Sequence, residues 1–182
     1  RSASYDRLIL ATGSNPFMLP IPGTALEGVL AYRDIADTQA MIAAAAQYRH
    51  AVVIGGGLLG LEAANGLMKR GMQVTVVHVG EWLMERQLDA VAGKMLQKSL
   101  QERGMQFQMS AQTQALLGHE GRVCAVRLQD GTELPADLVV MAVGIRPNTA
   151  LAESMRLHVN RGIVVSDTLQ TVTDPRIYAV GE

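Results

Sequence analysis

A single cysteine, Cys124, stands in the whole chain, so no internal disulfide can form. No Cys/His cluster at metal-ligand spacing surrounds the four scattered histidines. Any redox chemistry here therefore needs a bound cofactor. Excess charge is also missing: sixteen Lys and Arg face seventeen Asp and Glu, a formal net charge of −1. That is too weak a field to gather nucleic acid or an anionic membrane. Long apolar runs are lacking too, since none approaches the roughly 18 residues that a membrane helix requires. The opening RSASYDRLIL does not have the charged, apolar and cleavage regions of a secretory signal. The expectation is a cytoplasmic protein with neither nucleic acid nor membrane as partner.

What remains is ordinary globular material. With 182 residues, 48% of them hydrophobic, the chain suffices for one buried domain, or for one domain carrying fragments of a second. The ten methionines are spread through helical and strand patterns and read as core filling. Tyr5 to Thr12 is a short apolar run closed by Gly13-Ser14-Asn15-Pro16, the pattern of a buried strand and a turn. From Pro16 to Gly28 the Pro and Gly content indicates a linker or a surface crossing, and a domain boundary is placed there. Asp34 is a candidate cap for a helix over Ile35 to Tyr48, with Ile35, Thr38, Ile42 and Ala45 or Ala46 along its inner face.

His50 to Ile54 is apolar and β-branched and runs straight into Gly55-Gly56-Gly57. A helix then carries Leu58, Leu61, Ala64, Leu67 and Met68 at helical spacing up to a stop at Gly71, and Gln73 to Val79 reads as the next parallel strand. Asp89 caps a second helix to Arg103, followed by a third strand over Met105 to Met109. The pairs Gly118 to Gly121 and Asp130-Gly131 then mark hairpins, so the segments near Leu116-Leu117, Arg122 to Leu128 and Thr132 to Leu134 form a meander. Asp137 to Val143 is a buried strand closed by Gly144, and Arg146-Pro147-Asn148 turns the chain away. Ile163 to Val165 and Ile177 to Val180 are two further short strands. The fold class is α/β: a three-layer, Rossmann-like domain over residues 32–143 with a β-meander, and strands of a truncated second domain in 1–31 and 144–182.

The chemistry sits in Gly55-Gly56-Gly57-Leu58-Leu59-Gly60, which fits G-x-G-x-x-G between a strand and a helix. Gly55 permits the tight turn, Gly57 leaves room for a pyrophosphate, and Gly60 lets the helix lie close to the sheet. The free amides at the helix start, near Leu58 and Leu59, and the positive helix end supply what a cationic side chain would otherwise provide. A turn that is only structural has no need of three glycines at this spacing. The expected ligand is NADH or NADPH. The end of the second strand should choose between them, through an acidic residue about twenty positions on that holds the ribose hydroxyls. His78 stands there instead, followed by Glu81 and Arg86. Glu81 would serve NADH, the preferred reading; His78 with Arg86 would serve the phosphate of NADPH; and His78 could also simply end a strand. Glu62, early on the helix, either positions the nicotinamide carboxamide or favours the positive helix end.

Four ordered segments resemble the two-dinucleotide-binding flavoprotein reductases. Tyr5 to Ser14 resembles the ATG segment of their FAD domain, and Gly55 to Ala64, Glu62 included, resembles their NAD(P)H fingerprint. Asp137 to Asn148 is similar to the strand that re-enters the FAD domain, and Gly162 to Glu182 to its last segment. The resemblance implies hydride transfer from NAD(P)H to FAD, with Thr12, Gly13, Gly181 and Glu182 at an FAD site that this chain alone does not complete, and Gly144 as a further cofactor-binding residue. It also implies that the remainder of a parent flavoprotein is a partner; a homodimer is admissible. Within the family, LMERQLD (Leu83 to Asp89), His78 and the ending Gly181-Glu182 resemble the large subunits of NAD(P)H-dependent nitrite reductases. That branch implies sirohaem and an iron–sulfur cluster, which one cysteine cannot hold and which belong to other parts of a parent enzyme. The alternatives are a rubredoxin- or ferredoxin-type reductase of the same architecture and a dinucleotide-sensing module without turnover.

Overall fold

The computed structural model describes residues 3–181, and the chain divides into two compact units, one formed by residues 16–143 and the other by 3–15 with 144–181. In chain order the elements begin with strands β1 (Leu8–Leu10), β2 (Ser14–Pro16) and β3 (Val29–Ala31) and helix α1 (Ile35–Ala45). Next come β4 (His50–Ile54), α2 (Leu58–Met68), β5 (Gln73–Val77), α3 (Ala90–Glu102) and β6 (Gln106–Gln108). The meander follows as β7 (Thr113–His119), β8 (Arg122–Leu128) and β9 (Glu133–Pro135). The chain ends with β10 (Leu138–Met141), β11 (Ile145–Pro147), α4 (Ala150–Ser154) and β12 (Ile177–Ala179).

In the larger unit a parallel sheet runs in the order β3-β10-β4-β5-β6. Its strands are apolar on both faces because both are covered. Alternation along β4 sends Ala51 and Val53 to the helix side, where Met41, Ala63, Ala64 and Leu67 meet them. Val52 and Ile54 point the other way, to Leu116, Val126 and Leu128 of the meander. Helices, sheet and meander are thus the three layers expected.

The helix ends follow local chemistry. Asp34 caps α1, its carboxylate accepting from the Asp37 amide while the Asp37 carboxylate accepts from the Asp34 amide, and Asp89 accepts from Ala92 N–H to cap α3. The inner face of α1 differs from the one expected. Ile35 is 77% exposed and Ile42 is exposed as well, while Met41, at 5%, enters the core with Ala44 and Ala45 against it. An alanine-rich helix has little contrast between its faces, so neighbouring strands decide the rotation.

Residues 16–31 do not behave as a free linker. Pro22 C=O accepts from Leu116 N–H, Glu27 N–H donates to Gly121 C=O, and β3 forms the edge of the parallel sheet beside β10. Sheet residues therefore start at Val29, ahead of Tyr32, and the stretch clusters with the larger unit.

In the smaller unit β1 pairs with β12, and β11 pairs with β2. Of Arg146-Pro147-Asn148, expected as a turn, the first two residues thus belong to strand β11. Ile163 to Val165, expected as a strand, makes only isolated bridges, Val159 with Ile163 and Val165 with Thr171. Among the described residues, no helix is long and apolar enough to cross a membrane.

Candidate functional site

Three glycines between the end of β4 and the first turn of α2 are small for different reasons. Gly55 has φ of +119°, and a Cβ there would run into the Ala142 carbonyl oxygen. Its N–H donates to Val77 C=O at 2.8 Å, which ties the turn to β5. At Gly60 a Cβ would strike the Gly55 carbonyl oxygen, so this position sets how closely α2 approaches the turn. Gly57 is the exception. Its backbone is ordinary extended chain, φ −84° and ψ −176°, and an added Cβ would meet no atom within 4 Å. Neither conformation nor protein packing requires glycine at 57.

Gly57 is also the N-cap of α2, and no side chain caps that helix among the described residues. The first turn therefore presents amides and the positive end of the helix beside open space, with no acidic residue in that turn to compete for it. This is a cradle that fits a diphosphate. Leu58 and Leu59 are exposed there, and Glu62, also exposed, stands one turn further along. A cleft of about 260 Å³, lined by Tyr32, Arg33, Asp34, Ile35, Thr38 and Leu59, touches the same turn. It is too small to enclose a dinucleotide and would take at most one end of one. A larger, shallow hollow of about 690 Å³ around Glu153, Arg156 and Asn160 contains none of the expected site residues.

At the strand end the His78 side chain faces the protein's own groups. Continuing the alternation of Val74 and Val76, His78 turns to the helix side, where it is 7% exposed. Its Nδ1 accepts from Gly56 N–H at 3.1 Å, and its Nε2 lies 2.5 Å from Glu85 Oε2. Both ring nitrogens are occupied by the chain itself, so His78 offers no free group to a ribose phosphate. Glu81 and Arg86 are exposed on the loop that follows. Glu85, which sequence reasoning passed over, is the carboxylate His78 holds. The missed signal was its place inside LMERQLD: Leu83 is fully buried, and Met84 N–H donates to Gly56 C=O at 3.0 Å. The segment after β5 thus grips Gly56 from both sides.

In the smaller unit Gly13, Gly144 and Gly181 have φ of +64°, +122° and +106°, and a Cβ at any of them would meet nothing within 4 Å. Asn148, another residue not singled out, organises this loop. Its side-chain amide donates to Thr12 C=O, its backbone N–H donates to Gly13 C=O, and its own carbonyl accepts from the Thr12 hydroxyl. Ser14 Oγ is buried beside Gly13 without a hydrogen-bond partner among the described residues, a polar atom suited to a ligand's edge. Glu182 lies outside the described residues.

A parallel sheet with a glycine turn feeding an uncapped helix, and a second unit of glycine-closed strands, define a dinucleotide-binding oxidoreductase fold. The chain belongs to the pyridine nucleotide-disulphide oxidoreductase family, which it matches over residues 1–182. It is 58% identical over all 182 residues to the NAD(P)H nitrite reductase of Bacillus subtilis (strain 168), and 47% identical to the assimilatory nitrate reductase electron transfer subunit of the same organism. The chain spans 22% and 23% of the length of these relatives. A ferredoxin reductase from Rhodopseudomonas palustris superposes with a TM-score of 0.93 at 33% identity, over 97% of this chain and 44% of that one. The resemblance drawn from the four ordered segments is borne out.

Proposed function

We propose that this chain is the NAD(P)H-binding part of a flavoprotein and that the diphosphate of the cofactor lies over Gly57 on the first turn of α2. The observation that carries this is the open space above a glycine that the protein's own packing does not require. The amides of Leu58 and Leu59 would hold the diphosphate, Gly55 and Gly60 would set the turn, and Glu62 would face the nicotinamide side. Thr12, Gly13, Gly144, Gly181 and Glu182 would line one edge of an FAD site, its other edge supplied by the remainder of the parent protein. When bound, the nicotinamide supplies a hydride that the flavin accepts. The chain's residues align the cofactor, and none of them needs to act as a general acid or base.

The parent activity best supported is reduction of nitrite to ammonia, with sirohaem and an iron–sulfur cluster in other parts and a cytoplasmic setting. Support comes from the 58% identity to a nitrite reductase together with the packed LMERQLD segment. A second reading, electron transfer to a nitrate reductase, draws on the 47% relative. Under either reading, anaerobic NADH added to the flavin-loaded full-length protein bleaches the flavin absorbance within one turnover. A full-length protein that carries no flavin, or whose flavin ignores both nucleotides, contradicts the hydride-transfer reading.

A further inference from the structure

We infer that Glu85, held in place by His78, is the carboxylate that reads the ribose next to adenine and sets a preference for NADH over NADPH. This rests on the dinucleotide reading above and deepens it. An acidic residue ordinarily ends the second strand of such a fold and accepts from the ribose hydroxyls. In this chain that position is His78, whose ring is turned inward and fully engaged. Because Nδ1 accepts from Gly56 N–H, the neutral ring carries its proton on Nε2 and donates it to Glu85. The acidic function is thus displaced seven residues along the chain and returned to the strand end through an imidazole.

The surroundings are shaped for this pair. A Cβ on Gly80 would lie 2.8 Å from His78 Nε2 and 2.9 Å from Glu85 Oε2, and a Cβ on Gly56 would lie 2.8 Å from His78 Cγ. Two glycines therefore flank the ring and its carboxylate partner, and one of them belongs to the diphosphate loop. The Glu85 carboxylate sits one imidazole and two hydrogen bonds away from the Gly56 amide. In a nicotinamide dinucleotide the adenine-side ribose follows the diphosphate directly, so a carboxylate at that remove meets its 2′- and 3′-hydroxyls. The Glu85 side chain is 42% exposed, so it is fixed at one oxygen and open to a ligand. A 2′-phosphate at the same place would meet a like charge, and Arg86, exposed next in sequence, is the one nearby cation on this loop that could offset it.

The test is equilibrium binding of NADH and of NADPH to the full-length protein and its variants. Glu85→Gln, at a half-exposed position, is expected to fold and to shift the NADH-to-NADPH affinity ratio toward NADPH by about tenfold, the size of one charge-assisted hydrogen bond. His78→Ala shifts the ratio as Glu85→Gln does, by freeing the carboxylate, and weakens both nucleotides because Gly56 N–H loses its acceptor. His78→Asn, whose amide oxygen overlaps Nδ1, restores the affinity common to both nucleotides without restoring the ratio. An unchanged ratio in Glu85→Gln, with both nucleotides still bound, overturns this inference and leaves the dinucleotide reading standing. A ratio that moves with Glu81→Gln instead also overturns it. Failure of the parent protein to bind either nucleotide overturns the dinucleotide reading itself.

Discussion

Gly57→Val is expected to weaken NADH binding by about 100-fold or more while the protein stays folded. The valine methyls would enter the space that the diphosphate needs, and each charge-assisted hydrogen bond lost from a phosphate oxygen removes roughly 1.5–3 kcal/mol. Folding has little at stake, because position 57 is extended backbone and an added Cβ would meet no atom within 4 Å beyond its neighbours in the chain. The one structural cost is a poorer helix cap, about 1 kcal/mol, which lowers the melting temperature by roughly 2–4 °C in a chain of this size. Calorimetric titration alongside a thermal melt separates the two effects. A variant that binds like the parent shows that the space above Gly57 has no ligand.

Gly55→Ala and Gly60→Ala should behave in the opposite way. Alanine at 55 would be strained at φ +119° and would press on the Ala142 carbonyl. Backbone strain and overpacking each cost about 1–3 kcal/mol, so a loss of roughly 4 kcal/mol is expected. At 2–4 °C per kcal/mol, the melting temperature falls by roughly 8–16 °C. Alanine at 60 has ordinary helical backbone but meets the Gly55 carbonyl, so only the packing cost applies, about 2–3 kcal/mol. Thermal melts of the three variants should therefore rank 55 as most damaging, 60 as intermediate and 57 as nearly silent. If 57 proved as destabilising as 55, the glycine triplet would be a structural turn and nothing more.

The contrast among these glycines shows where sequence reading succeeds and where it stops. The unit from β4 through α2 to β5 was legible because a change in hydrophobic period coincides with a glycine turn, and both cues are local. The meander was legible for the same reason, through Gly121 and Asp130-Gly131. The face of α1 was not, since four consecutive alanines from Ala43 to Ala46 look alike from every side and only packing selects Met41. Strands β3 and β11 were missed because each has three residues beside Gly or Pro and exists by pairing with a distant strand. In the candidate site, the spacing of Gly55, Gly57 and Gly60 could be read directly. The inward turn of His78 could not, because it depends on Gly56 and Glu85 closing on the ring from opposite sides. The hydrogen bonds of Asn148, read only as part of a turn, were hidden for a similar reason: its partners Thr12 and Gly13 lie far away in sequence.

Residue-resolved amide shifts recorded during an NADH titration test the diphosphate placement most directly. The largest changes should fall on the backbone N–H groups of Gly57, Leu58, Leu59 and Gly60. Saturable binding that leaves those four amides unmoved, with the changes gathered elsewhere, would contradict it.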